Sequence, residues 1–211
     1  MTATRPPAFP VARLVALAWL AVFIPTYWVY WGPVVFLNLC DIAVVVTCIG
    51  LWTGSPLLLS SQALSSLVVD LAWLADLLGR ATTGHHFLGG TEYMWDPEYP
   101  PWVRGLSLFH AVLPVILLRA LRRVGYDGRG FGLQAAIAAV ALVVSRALGP
   151  RTNANFAFID PVLGRSFGPA PVHLLVMLAG LTAIYWATGR VLRRVMPPAL
   201  GGQRPGVASE A

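Results

Sequence analysis

The chain contains no lysine. All 15 of its basic residues are arginine, and only 11% of its 211 residues are charged. A soluble domain of ordinary composition carries about 25% charged residues. With 57% hydrophobic residues and a mean hydropathy of +0.68, the chain lacks the polar surface needed to cover a water-soluble globule of this size. A soluble enzyme, a disordered polymer and a nucleic-acid-binding domain are therefore excluded as first readings. The net charge of +6 does not bring nucleic acid back, because the arginines are scattered at helix ends rather than gathered in a patch.

Cysteine is scarce as well. Cys40 and Cys48 fall in one apolar stretch. On a helix they lie about 12 Å apart along the axis, too far for a disulfide. Neither a redox compartment nor a metal framework follows from them. Also missing are a Gly-rich phosphate loop, a Gly-x-Ser-x-Gly elbow, a haem-attachment motif, and the HExxH and CxxC patterns. No cofactor is expected. His85-His86 beside Glu92 offers metal-ligand side chains, but adjacent loop histidines without either pattern do not make a metal centre.

What the chain has is long apolar runs. Stretches at about 13–31, 33–52, 57–79, 103–122, 131–149 and 171–194 reach or nearly reach the roughly 20 residues that span a bilayer. They predict an all-α, polytopic membrane protein: one six-helix transmembrane domain over 1–195, then a disordered cytoplasmic tail over 196–211. Runs such as Val44-Val45-Val46 and Leu57-Leu58-Leu59 lack the alternation of a β-barrel. Gly32-Pro33 and Thr53-Gly54-Ser55-Pro56 mark tight turns. The first run follows Arg5 and Arg13 as a signal peptide would. It continues into Tyr27, Trp28, Tyr30 and Trp31 with no small-residue cleavage site, so it reads as a retained helix with interfacial aromatics.

Arginine sets the orientation. With the N-terminus inside, Arg5, Arg13, Arg119, Arg122, Arg123, Arg129, Arg190, Arg193, Arg194 and Arg204 are cytoplasmic. Arg80, Arg104, Arg146, Arg151 and Arg165 are on the other side. The positive-inside rule then puts both termini in the cytoplasm.

Ionisable groups inside a bilayer are costly and are functional candidates by default. The second segment carries Asn38 and Asp41 on one face. The third carries Gln62, Ser66 and Asp70 at four-residue spacing, then Asp76 one turn before Arg80. The fourth carries Ser107 and His110, with Pro114 following. Pro114 removes the hydrogen bond to the His110 carbonyl and is expected to kink that helix. At about 1.5 Å per residue, Asp41 and His110 each lie about 10 Å below the outer ends of their segments, and Asp70 is about as deep. Periodicity sets this common depth but not which side chains face each other. Blander readings stand beside each residue: Asp76 paired with Arg80, Asn38 on a neighbouring backbone, Gln62 and the serines in helix packing, and His110 as a satisfied core histidine. His173 reads as a helix-end polar residue.

The outer loop from Thr82 to Trp102 alternates aromatics, prolines and acids. Glu92, Tyr93, Trp95 and Asp96 are candidates for a lid over the polar residues below; the alternative is an interfacial loop at headgroup level. Asn153 and Asn155 in the second outer loop join them as substrate or lid candidates. The arginines of that side offer neutralising partners for its acids or for an anionic headgroup.

Several runs resemble those of a known family. They are Gly32-Pro33-x-x-Phe36-Leu37-x-x-x-Asp41-Ile42-Ala43, Asp70-Leu71-Ala72-Trp73, Tyr93-Met94-x-Asp96-Pro97, Arg104-Gly105-Leu106-Ser107-Leu108-Phe109-His110 and Asn153-x-Asn155-x-x-Phe158. In order and spacing, over about 30–160, they resemble a widespread bacterial family of small multi-pass proteins described only as membrane-associated. The resemblance implies location and fold, not chemistry. A weaker likeness is to intramembrane hydrolases and acyltransferases of lipid esters, which set a histidine in a kinked helix opposite a nucleophile.

The expectation is an intramembrane enzyme acting on a membrane lipid or lipid-linked substrate. His110 is its acid or base, Asp41 or Asp70 orients the imidazole, Asn38 assists, and Ser107 or Cys40 is the nucleophile. A small proton-coupled transporter using the same acids, and a non-catalytic subunit docked to a partner membrane protein, are the alternatives.

Overall fold

The computed structural model describes residues 9–151 and 153–199. They form an all-α bundle of seven helices: α1 (Pro10–Trp31), α2 (Leu39–Thr53), α3 (Pro56–Thr83), α4 (Pro101–Leu106), α5 (Phe109–Val124), α6 (Gly130–Ala147) and α7 (Ala170–Val195). The boundaries follow from local chemistry. Pro10 and Pro56 occupy first-turn positions, where the missing N–H costs nothing. Ser55 caps α3 by accepting from the Leu58 N–H at 3.3 Å. Gly84 ends α3 in the left-handed conformation, at φ 79°.

Five helical segments are long and apolar enough to cross a membrane: Pro10–Trp31, Pro56–Thr83, Pro101–Val124 (α4 and α5 together), Gly130–Ala147 and Ala170–Val195. By helix length and hydropathy this is a multi-pass helical membrane protein. The expected second span is shorter than the sequence suggests. Its first part is a 3-10 turn, Pro33–Leu37, and Asn38 is extended at ψ 137°, so α2 starts only at Leu39 with 15 residues. Asp41 thus lies in the first turn of α2, not about 10 Å into a helix.

The fourth segment is also broken, ahead of Pro114. α5 runs through Pro114. The break is at Ser107–Leu108, where the N–H groups of Ser107, Leu108, His110 and Ala111 all donate to carbonyls three residues back. Tight turns of this kind re-aim the chain without leaving donors unpaired.

The long α3 runs through the middle of the bundle against α2, α5, α6 and α7. Side-chain contacts fix the two ends. At one end Arg13 lies over Trp52, Arg123 lies over Phe9, and Gly130 packs on Ser60 so tightly that a Cβ would stand 2.9 Å from it. The start of α1 and the end of α7 share this arginine-rich end. Arg5 and Arg204, assigned to it from sequence, lie outside the described residues. Met196–Ala199, expected in a disordered tail, are instead held to the 125–126 turn: the Tyr126 N–H donates to the Pro197 carbonyl at 2.7 Å and the Ala199 N–H to the Tyr126 carbonyl at 3.2 Å. Residues 200–211 lie outside the described residues. The opposite end carries both long loops.

Candidate functional site

At the loop end α2, α3, α5 and the two long loops enclose a cavity of about 530 Å³. Asp41 and His110 both line it, so the common depth read from sequence becomes a shared wall. Asn38, Cys40, Ser107, Tyr93, Asn153 and Asn155 line it too. Asp70 does not. It is completely buried on α3 between the cavity-lining Val69 and Trp73.

The protonation geometry of His110 is defined by its neighbour. Nδ1 lies 2.7 Å from the Ser107 carbonyl oxygen, which can only accept. Nδ1 therefore carries the proton, and Nε2 is left as the basic nitrogen. The ring is clamped in a stack against Trp73, with centroids 4.3 Å apart and planes within 10°. The orienting group is thus a backbone carbonyl made available by the break at Ser107, not Asp41 or Asp70. Ser107 directs its own hydroxyl to the Tyr27 phenol, at 2.7 Å.

The start of α2 is held by the second loop. Asn155 accepts from the Leu39 N–H at 2.9 Å and donates to the Leu37 carbonyl at 2.7 Å and to Ser145 Oγ at 3.0 Å. Asn38 donates to Asp41 Oδ2 at 3.2 Å, and the Cys40 thiol lies 3.9 Å from the same oxygen. Asp41 Oδ1 has no partner among the described residues. The N-terminal turn of a helix favours a carboxylate placed there. Asn153 organises its own loop instead, accepting from the Phe158 and Ile159 N–H groups. His173 is a structural cross-link: Nδ1 accepts from the Phe167 N–H and Nε2 donates to the Phe156 carbonyl at 2.9 Å.

The first loop covers the cavity through Leu88, Gly89, Gly90 and Tyr93. Gly89 and Gly90 have φ of 81° and 92°, which side chains other than glycine's rarely allow. Of the four candidates on this loop only Tyr93 lines the cavity, and burial pushes its phenol up, away from ionisation. Glu92 accepts from the Gly90 N–H, Asp96 from the Glu98 N–H, and Trp95 stands beside His86 and under Arg80.

Asp76 is the anchor of this loop, which corrects the expected pairing with Arg80. Its Oδ1 accepts from the consecutive N–H groups of Phe87, Leu88 and Gly89 at 2.7, 2.6 and 3.1 Å. Its Oδ2 accepts from His86 Nδ1 at 2.9 Å and from the Thr91 hydroxyl. Those donors fill the carboxylate, and a buried acid gains more from them than from a single half-buried arginine. His85 is exposed, while His86 and Glu92 serve separate loop contacts, so the three do not converge. Among the described residues no group of three His, Cys, Asp or Glu side chains is placed to hold a metal ion.

The cavity also uses residues that sequence reasoning assigned elsewhere. Tyr27 and Trp31, read as an interfacial belt, form its wall with centroids 4.7 Å apart, and Trp31 meets Tyr93 edge-on at 5.9 Å. Trp73 carried a usable signal, since it stands three residues after Asp70 on the inward face. Comparison with known proteins finds no matching family model, no matching curated protein and no matching solved structure.

Proposed function

We propose that the chain is an intramembrane enzyme that cleaves or transfers the acyl group of a lipid or lipid-linked ester bound in the loop-end cavity. The observation that carries this reading is the His110 imidazole: its Nδ1–H is fixed by the Ser107 carbonyl, and it lines a cavity walled mostly by apolar and aromatic groups. In this scheme Nε2 takes a proton from water or from the Cys40 thiol as that nucleophile adds to the ester carbonyl. The same proton then goes to the departing alkoxide. Ser107 is a poorer nucleophile because its hydroxyl is engaged by Tyr27.

The chain crosses the membrane six times in this reading, with the turn at Pro33–Leu37 extending α2 to the loop side. The arginine-rich end is cytoplasmic, so the cavity opens toward the outer leaflet of a bacterial inner membrane. The runs that resemble the family of small membrane-associated proteins agree with that placement. The test is cleavage of p-nitrophenyl palmitate by protein purified in a neutral detergent. His110→Gln is expected to lower the rate by at least about 100-fold. An unchanged rate, or no cleavage by the wild type, contradicts the proposal.

One observation favours a second reading, a proton-coupled carrier: both carboxylate oxygens of Asp70 are buried with no partner among the described residues. Asp70→Asn should then abolish pH-driven uptake into vesicles, and unchanged uptake would dispose of it.

A further inference from the structure

The charge of the cavity is one-sided. The chain has 15 arginines, yet none lines the cavity among the described residues, whereas Asp41 does. Three loop-end arginines are occupied elsewhere. Arg104 donates to the Met94 carbonyl at 2.6 Å, Arg146 donates to the Ala157 carbonyl at 2.9 Å, and Arg80 lies over Trp95. Asp41 is 3% exposed, and Asn38 and Cys40 both contact its Oδ2, so Oδ1 is the oxygen left for a ligand. Tyr27, Trp31, Trp73 and Tyr93 line the same cavity as Asp41. A carboxylate among aromatic rings, shielded from water, attracts an alkylated ammonium by charge and by the ring quadrupoles. A phosphate or sulfate would meet the same carboxylate with no guanidinium to offset it.

We infer that the cavity selects the ammonium group of an amphiphile, held by Asp41 Oδ1 within the box of Tyr27, Trp31, Trp73 and Tyr93. This rests on the reading of the cavity as the ligand site and narrows it to amine-bearing lipids. The apolar remainder of the lining accommodates the attached chain. Asn155 supports the arrangement from outside, because its clamp on Leu37 and Leu39 sets the position of the first turn that presents Asp41.

The test is equilibrium binding to the full chain in neutral maltoside detergent, read by quenching of the cavity tryptophans. The probes are octyltrimethylammonium, tetramethylammonium, octanol and octyl phosphate. Octyltrimethylammonium is expected to bind at least about tenfold more tightly than octanol or octyl phosphate. Tetramethylammonium separates the sources: weak binding assigns the cation to an amphiphile, and binding as tight as that of the octyl compound overturns that assignment. Asp41→Asn should erase the preference for ammonium over octanol. Equal binding of octanol or octyl phosphate by the wild type overturns the inference without reference to any variant, as does an unchanged preference in a folded Asp41→Asn. None of these measurements requires turnover. A chain that selects ammonium and cleaves no ester therefore sinks the catalytic reading alone.

Discussion

Asp70 and Asp76 sit on the same helix, α3, less than two turns apart, and both are completely buried. Asp76 accepts from three backbone N–H groups, a histidine and a threonine, and through them it ties the covering loop to the bundle. Asp70 accepts from none of the described residues, and Ser66 one turn before it is equally unpaired. A carboxylate that is saturated with donors is explained by the architecture it holds together. One that is buried and unpaired costs stability, and it stays in a sequence only if something other than packing retains it. Asp41 lies between these extremes, with one oxygen engaged and one facing the cavity.

The largest effect expected from this contrast is at Asp76. Asp76→Ala leaves three consecutive loop N–H groups without an acceptor. It should cost about 3 kcal/mol or more, seen as a lower thermal midpoint in detergent together with rapid proteolysis of the 84–100 loop. Asp70→Leu is expected to go the other way, leaving the midpoint unchanged or raising it by about 1 kcal/mol equivalent, because it replaces a buried polar group that has no partner with an apolar one. If both variants destabilise alike, the distinction between the two acids fails.

Tyr27→Phe sharpens the picture of the cavity wall. It deletes the bond to Ser107 and keeps the ring, so it should cost about 1 kcal/mol. A neutral outcome would mean that the Ser107 hydroxyl finds another partner.

The smallest effect is at the arginine-rich end, where Asp127 is an acid of the Asp76 type but exposed to solvent on one side. The Arg129 guanidinium, bonded at 2.7 Å, holds the Asp127 carboxyl below its usual range. A depressed folded-state value means that the contribution is present above the ordinary carboxylate pKa of about 3.9 and is lost as pH falls through the folded value. Asp127→Asn should therefore change the thermal midpoint by well under 1 kcal/mol equivalent at neutral pH. The variant's difference from wild type should vanish in acid.

Much of this was legible in the sequence because helical periodicity and hydropathy are local. Five of the expected segments lie within about four residues of helical segments, the remaining one starts six residues late at Leu39, and depth counting put Asp41 and His110 at one level. Their convergence on one cavity needed the fold. The misreadings have a common physical source. Asn38 and Ser107 break their segments because long-range or backbone partners compete with the helix: Asn155 for the start of α2, and the His110 ring for the Ser107 carbonyl. Asp76 and Arg80 have ideal i, i+4 spacing, but spacing cannot weigh that pair against loop amides that arrive from residues 87–89. Tyr27 and Trp31 look like interfacial aromatics by position, and only packing against Tyr93 turns them into a wall.

The central claim is that the loop-end cavity, rather than the outer surface of the bundle, holds the lipid. A diazirine-bearing alkylammonium lipid in vesicles, cross-linked by light and mapped by peptide, tests it directly. The account predicts saturable labels on the α1 segment around Tyr27–Trp31, on α3 around Trp73 and on the 88–93 loop, displaced by excess unlabelled lipid. Labels confined to the outward residues of α1 and α7, such as Val15, Leu175 and Trp186, and insensitive to competition, would contradict it.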